Sequence, residues 1–182
     1  MSDVSVIELA VCQSTQDEVR DRLDGAAGGT IRAVRTRSQG DGRGREGRVW
    51  QDPPGEALLL SVGVQGPLSV DVLADLPRRL GDALLATFDV SGLAWKAPND
   101  LVARDGGAKV AGILVDARTV GAVVEHVIVG IGCNVSGAAF VTTDGREATT
   151  LEELGAGERR LEDLADGVVA AIVAELRPVS SA

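Results

Sequence analysis

Aromatic side chains are nearly missing from this sequence, which has no tyrosine, two phenylalanines and two tryptophans among 182 residues. Trp50 and Trp95 are therefore scarce material, and ordinary core packing is the plain alternative to any role at a site. Cysteine is equally thin: Cys12 and Cys133 offer neither a disulfide framework nor a metal cluster. The one histidine, His126, lies between Glu125 and Val127 in a strand-like run and reads as structural. No apolar run reaches membrane-spanning length, and the N-terminus lacks the basic, apolar and cleavage-site succession of a secretory leader. The expectation is a cytoplasmic protein, in which the Asn134-Val135-Ser136 sequon carries no meaning. Positive net charge is also absent. With a formal balance of −9, the chain has no broad basic face for nucleic acid or an anionic membrane. Lysine is reduced to Lys96 and Lys109 beside sixteen arginines. Such a bias points to lysine kept where a compact charge with rotatable donors serves better than a guanidinium.

What is present is a hydrophobic fraction of 45%, enough for one core in a single domain over residues 1–182. Against the acidic background, residues 32–48 stand out. They hold Arg32, Arg35, Arg37, Arg43, Arg45 and Arg48 against only Asp41 and Glu46. Within them "QGDGRGREGRVW", Gln39 to Trp50, sets arginines on glycine-rich backbone. Its "GRGREG" fits the G-x-G-x-x-G dinucleotide pattern only formally. That fingerprint needs a helix opening inside it, and here Pro53, Pro54 and Gly55 follow. A solvated loop would need no glycines, whereas glycine lets backbone approach a ligand closely, so the segment calls for an anionic partner.

Periodicity supplies the frame. "VSVIELAVC", Val4 to Cys12, reads as an edge or second-layer strand, and a helix follows with Thr15 and Glu18 as a capping box and Val19 and Leu23 on one face. Strands are expected at Thr30–Arg37 and, centrally, at Glu56–Val64. Leu73, Leu76, Leu80 and Leu84 keep helical spacing, with Pro77 either opening or bending that helix. Residues 93–135 offer three strands, the later two near Val110–Ala117 and Val123–Val135, with turns at Asp105-Gly106-Gly107 and Thr119–Gly121. Leu161, Leu164, Val168, Val169, Ile172, Val173 and Leu176 form the stripe of a last helix. Strands outnumber helices and many join as hairpins. The fold class expected is α+β, a mixed, largely antiparallel sheet with helices packed on it.

Five polar clusters then fall at strand ends or loops: "STQD" (Ser14–Asp17), "QGDGRGREGRVW", "WKAPND" (Trp95–Asp100), "GGAKVAGILVD" (Gly106–Asp116) and "GIGCNV". In this order they resemble the biotin–protein ligase family, whose patterns run roughly S-T-N, Q-x-x-G-R-G-R-x-G-R-x-W, K-W-P-N-D, K-x-x-G-I-L-x-E and G-I-G-x-N-V. "ATTLEEL", Ala148–Leu154, resembles the segment that follows them. The resemblance implies a class II aminoacyl-tRNA synthetase/biotin ligase-like catalytic fold. It also implies an ATP-dependent ligase that makes biotinoyl-5'-AMP and passes biotin to a lysine of a biotin carboxyl carrier domain. Setting a carboxylate against a triphosphate brings anion to anion, which needs fixed cations and backbone donors.

By resemblance, Lys109 and Arg45 are the catalytic candidates. Ser14, Thr15, Gln16 and Gln39 would hydrogen-bond biotin, with Arg43, Gly44 and Arg45 closing over it, Gly112 allowing close packing, and Trp50 walling the pocket. Arg45, Arg48, Lys96, Asn99, Asp100 and Asn134 would serve ATP. Mg²⁺ would be held through the phosphates, with no metal ligand assigned to the protein. Three positions depart from the patterns: Gln16 stands for Asn, Ala97 for Trp, and Asp116 for Glu. Trp95 is a candidate to fill part of the space that Ala97 leaves. No helix-turn-helix is expected before Val4, and "RPVSSA" stands where relatives carry a β-barrel-like C-terminal domain. Pairing of edge strands, with a second copy or with the carrier, leaves a homodimer open. Bland readings stand beside these: Ile113 and Leu114 as core, Asn99-Asp100 as a turn. Two other functions remain, a lipoate–protein ligase and a non-catalytic binder of biotin or adenylate.

Overall fold

A computed structural model describes residues 4–51 and 56–176. The Pro53-Pro54-Gly55 stretch and "RPVSSA" lie outside them. The strands are β1 (Val6–Leu9), β2 (Ile31–Thr36), β3 (Ala57–Ser69), β4 (Leu93–Lys96), β5 (Asp100–Ala103), β6 (Lys109–Val120), β7 (Val123–Asn134), β8 (Phe140–Val141) and β9 (Glu147–Ala148). The helices are α1 (Thr15–Leu23), α2 (Leu76–Phe88) and α3 (Leu161–Leu176). Strand order is β1-β2-β3-β7-β6-β5-β4, with β9 also paired to β6 and β8 paired to β9. Only β1–β2 and β6–β9 are parallel. The fold is thus the α+β arrangement that the sequence implies, with a mixed and largely antiparallel sheet.

Alternation along the two longest strands sorts the sheet into two unlike faces. Leu58, Leu60 and Val62 of β3 and Val127, Val129 and Ile131 of β7 meet α2 and α3 in the main core. On the other face α1 lays Val19 and Leu23 against Val34 and Ile128. Gly63 belongs to that face, where an added Cβ would stand 2.5 Å from Val19. The α1 helix therefore sits directly on β3. Beyond α1 the same face is open, and the cleft described below lies there.

Several elements differ from their sequence-based bounds. The first strand keeps only Val6–Leu9, because its sole partner is β2 and the chain then turns toward α1; Cys12 is left as an isolated bridge to Gln39. Ser14, not Thr15, is the N-cap of α1, and its side chain makes no capping bond. The capping box fails because Thr15 turns its hydroxyl to Gln39 and Ser61, while Glu18 pairs with Arg22. The central strand runs on to Ser69, with its register shifting between Gln65 and Leu68, because β7 pairs with it that far. A short 3-10 turn takes Val70–Leu73, and Pro77 opens α2 in its first turn rather than bending it. The first of the three strands expected over residues 93–135 is a hairpin, β4–β5, turning at Ala97–Asn99. No helix among the described residues is long and apolar enough to cross a membrane.

Candidate functional site

The floor of the cleft is a patch of sheet stripped of side chains. Register sets Ser61, Gly130 and Leu114 side by side across β3, β7 and β6. Two residues along, it sets Leu59, Gly132, Gly112 and Asp100 in a row across β3, β7, β6 and β5. A Cβ on Gly132 would stand 2.7 Å from the Trp50 ring, one on Gly130 3.1 Å from the Gln16 amide, and one on Gly112 3.0 Å from Lys109 Nζ. Three side chains can lie flat on the sheet only because these positions carry none. The empty space above them is about 710 Å³, part of it open to solvent.

At the inner end, neutral polar groups interlock. Gln39 Oε1 accepts from the Thr15 backbone N–H at 2.8 Å, and Thr15 Oγ1 lies 2.8 Å from Ser61 Oγ. Gln16 Nε2 donates to the Leu114 carbonyl at 3.0 Å. Ser14 is 2% exposed and lines the cleft without spending its hydroxyl on the helix cap. Buried groups of this kind hold their geometry because breaking any one bond strands its partner away from water.

The glycine–arginine segment closes one side as a small hairpin. Its first foot is pinned where Gly40 N donates to Cys12 O at 2.9 Å and Asp41 N to Gln13 O at 2.8 Å. Arg43 bridges Val49, Gly44 N reaches Arg48 O at 2.7 Å, and Trp50 N reaches Gly42 O at 2.9 Å. The tip is a 3-10 turn over Arg45–Gly47, where Glu46 and Gly47 take φ of 59° and 73°. Arg43 forks onto Asp17 in the first turn of α1, and Arg48 pairs with Glu46 at 3.0 Å. Among the described residues, Arg45 makes no ion pair.

The outer end holds the remaining charge. Lys109 Nζ is 2.7 Å from Asp100 Oδ1 and 5.6 Å from the centroid of the Trp50 ring, a cation–π distance. Asn99 pins the β4–β5 turn to β6 by giving its Nδ2 to the Ile113 carbonyl at 2.9 Å. From the β8–β9 hairpin comes Arg146, whose Nε meets Asp144 Oδ2 at 2.8 Å. The Arg146 guanidinium, with help from the Thr142 hydroxyl, holds the Asp144 carboxyl down at about 2. The pairing is therefore in place above the usual carboxylate range and fades as pH falls toward 2. Gln51, next after Trp50, ties the lid to this hairpin: its Oε1 accepts from Thr143 N at 2.8 Å, and its Nε2 also meets Thr143 Oγ1. In all, five basic side chains line the cleft against one carboxylate, Asp100. Among the described residues no three His, Cys, Asp or Glu side chains gather to hold a metal ion. Both cysteines are buried, and burial pushes both thiols up, Cys133 the further.

The sequence model of the Biotin/lipoate A/B protein ligase family matches residues 9–134. The chain belongs to that family. A biotin–[acetyl-CoA-carboxylase] ligase of Paracoccus denitrificans is 38% identical over 136 residues, covering 71% of this chain and 54% of the relative. The chain thus spans about half the length of that curated relative. The crystal structure of the Leishmania major biotin protein ligase with biotinyl-5-AMP superposes with a TM-score of 0.76 at 28% identity, over 92% of this chain and 73% of that one. The Aquifex aeolicus biotin protein ligase with biotin and ATP gives 0.69 at 27% identity, over 94% and 70%.

Within this member of the family, every residue that the resemblance assigns to biotin or ATP lines the cleft except Lys96 and Asn134. Lys96 ends β4 in solvent. Asn134 is 2% exposed and works behind the cleft, its Nδ2 donating to the Thr149 carbonyl at 3.0 Å beside Lys109. Trp95 packs on α2, where a Cβ at Gly81 would stand 2.2 Å from its ring. Asp116 pairs with Arg20 of α1. The sequence reading gave no role to six lining residues, Val49, Ser61, Gly130, Ile131, Gly132 and Arg146, although Val49 lies in "QGDGRGREGRVW" and Gly130 to Gly132 lie in "GIGCNV". Ser61 had a signal, as a lone hydroxyl in the apolar run "LLLSV", and so had Gly130 and Gly132, two glycines on one face of a strand. Arg146 had none. It lies beyond the matched residues 9–134, and one arginine of sixteen draws no notice.

Proposed function

We propose that this chain activates biotin with ATP, forming biotinoyl-5'-AMP and releasing pyrophosphate, and then passes biotin to a lysine of a biotin carboxyl carrier domain. The observation that carries the reading is the asymmetry of the cleft. A neutral hydrogen-bonding end and a cationic end share one glycine floor, which fits a molecule that is polar but uncharged at one end and anionic at the other. Biotin has that form, with a ureido ring and a carboxylate. The two ligated relatives, one carrying biotinyl-5-AMP and one carrying biotin and ATP, support it.

In this reading Ser14, Thr15, Gln16 and Gln39 hold the biotin rings, and Trp50, lying flat on Gly132, walls them. Lys109 sits where the biotin carboxylate oxygen attacks the α-phosphorus. Its ammonium neutralises charge gathering on the phosphoryl oxygens as the bond to pyrophosphate breaks. Asp100 keeps that ammonium in place, and Gly112 leaves room for it. Arg43, Gly44 and Arg45 close over the intermediate, with Arg45 free of any competing carboxylate among the described residues. Arg48, Asn99 and Asp100 serve the nucleotide side. Asn134 serves it indirectly, by fixing the strand end that bears Lys109. A Mg²⁺ ion would be held by phosphate oxygens and water, which suits its coordination habits and a cleft whose lining carries one carboxylate, Asp100; it would supply further charge neutralisation. In the second step the carrier amine attacks the acyl carbon and AMP leaves.

Biotin-dependent exchange of labelled pyrophosphate into ATP, followed by transfer of labelled biotin to a carrier domain, tests the reading. Both should occur. Exchange with lipoate but not biotin would make this a lipoate ligase. Biotin binding with no exchange would make it a non-catalytic relative.

A further inference from the structure

We propose that Arg146, held out by the β8–β9 hairpin, binds the β- and γ-phosphates of ATP, the part that leaves as pyrophosphate. This rests on the adenylation reading above and adds a residue that the family's motifs do not contain.

Three observations lead there. The first is position. Lys109 is in register with Ala148 of β9, and Arg146 lies two residues earlier, so the two backbones are about 6.5 Å apart along the strand direction. Arg146 lines the same cleft and feels the charge of Asp100, the carboxylate that holds Lys109. If Lys109 meets the α-phosphate, a second cation one strand step farther toward solvent meets the next phosphates of the chain. Biotin, with one carboxylate, has nothing to offer it.

The second is the way the side chain is held. The Thr142–Arg146 turn is closed by Thr142 N to Arg146 O at 2.9 Å, Gly145 N to Thr142 O at 2.8 Å and Arg146 N to Thr142 Oγ1 at 3.0 Å. Asp144 takes the Nε and Nη2 side of the guanidinium, and Thr142 Oγ1 braces Asp144 Oδ1 at 2.5 Å. The Nη1 donors are left uncommitted among the described residues. A guanidinium gripped on one edge and open on the other presents a fixed fork to phosphate oxygens. Asp144 is the positioning residue here, since it touches Arg146 and not the substrate.

The third is charge already spent. Lys109 spends its charge on Asp100 in a half-buried pair, the two side chains 27% and 22% exposed. Arg146 shares its partner with water, its side chain being 43% exposed, so a triphosphate replaces solvent there at small cost.

The test compares the parent protein with Arg146→Ala, Arg146→Lys and Asp144→Asn. Calorimetry measures pyrophosphate, biotin and a non-hydrolysable biotinoyl-adenylate analogue, and biotin-dependent exchange gives the KM for ATP. Arg146→Ala should weaken pyrophosphate and raise the KM for ATP by about 10- to 100-fold, the range of a charge-assisted hydrogen bond or two. Biotin and the analogue, which lack the β- and γ-phosphates, should shift by no more than about twofold. Arg146→Lys and Asp144→Asn should fall between, the first keeping charge without the fork and the second losing the grip. Unchanged pyrophosphate affinity, no pyrophosphate binding by the parent, or an equal loss for the adenylate analogue would each overturn the proposal. Should the parent catalyse no exchange at all, the ligase reading fails alone, because pyrophosphate binding still decides the part played by Arg146.

Discussion

The two ends of the cleft are built on opposite plans. At the inner end Ser14, Thr15, Gln16 and Ser61 are buried, and they come from a helix start and one central strand, β3, backed by the core. At the outer end Arg43, Arg48 and Arg146 ride on hairpins, exposed by 40–53% and paired to carboxylates that solvent also reaches. The difference follows from the ranges of the forces. A hydrogen bond to a neutral ring weakens steeply with distance and angle, so its partners must be fixed to a few tenths of an ångström. Attraction between a cation and a phosphate falls only with the inverse of distance, so it tolerates mobile carriers. Burial serves the first end and exposure the second.

Four substitutions break or sharpen that contrast, in falling order of effect. Lys109→Ala should cost about 2.7–4 kcal/mol of transition-state stabilisation, roughly 10²–10³-fold in biotin-dependent exchange, by analogy with loss of an oxyanion donor. Circular dichroism should show the variant folded, and near-normal exchange would remove Lys109 from the chemistry. Gly132→Ala drives a methyl into the Trp50 ring from 2.7 Å. Overpacking of this kind costs about 1–3 kcal/mol, and it should appear as weaker biotin binding with a shift in Trp50 fluorescence, read against a Trp95→Phe background. Thr15→Val keeps shape but removes the hydroxyl between Gln39 and Ser61. The stranded partners should lower stability by about 1–2 kcal/mol, visible as an earlier urea midpoint with an unchanged slope. Lys96→Ala should be the mildest, within about 0.5 kcal/mol for folding and about twofold in the KM for ATP. A large rise in that KM would restore Lys96 to the nucleotide.

The inner end was also the more legible in the sequence. Ser14, Thr15, Gln16 and Gln39 sit in short local patterns, and the apolar runs around Leu58–Leu60 and Val127–Val129 mark the strands behind them. Local signals fail where tertiary partners decide. Thr15 looks like a helix cap until Gln39, 24 residues away, claims its hydroxyl. The run before Asp105 reads as one strand until β6 takes Asp100 as its neighbour and leaves β4 outside. Asn134 closes a motif at the end of β7, but its Nδ2 donates to the Thr149 carbonyl behind the cleft rather than into it. Arg146 stands in the turn just before a two-residue strand pairing that no periodicity reveals.

The contact between Gln51 and Thr143 has a bearing on timing. Gln51 follows Trp50 directly, so whatever lifts the ring from Gly132 also pulls on the hairpin that carries Arg146. Two surface hydrogen bonds of this sort hold with only about 0.5–1.5 kcal/mol each, and thermal motion parts them easily. While they last, they join the walls on either side of the cleft. In the function proposed above, an acyl phosphate would be lost to any water that enters, and walls tied to one another leave fewer openings through which it could. Gln51→Ala would uncouple the walls, and its mark would be wasted turnover: ATP consumed without biotin delivered.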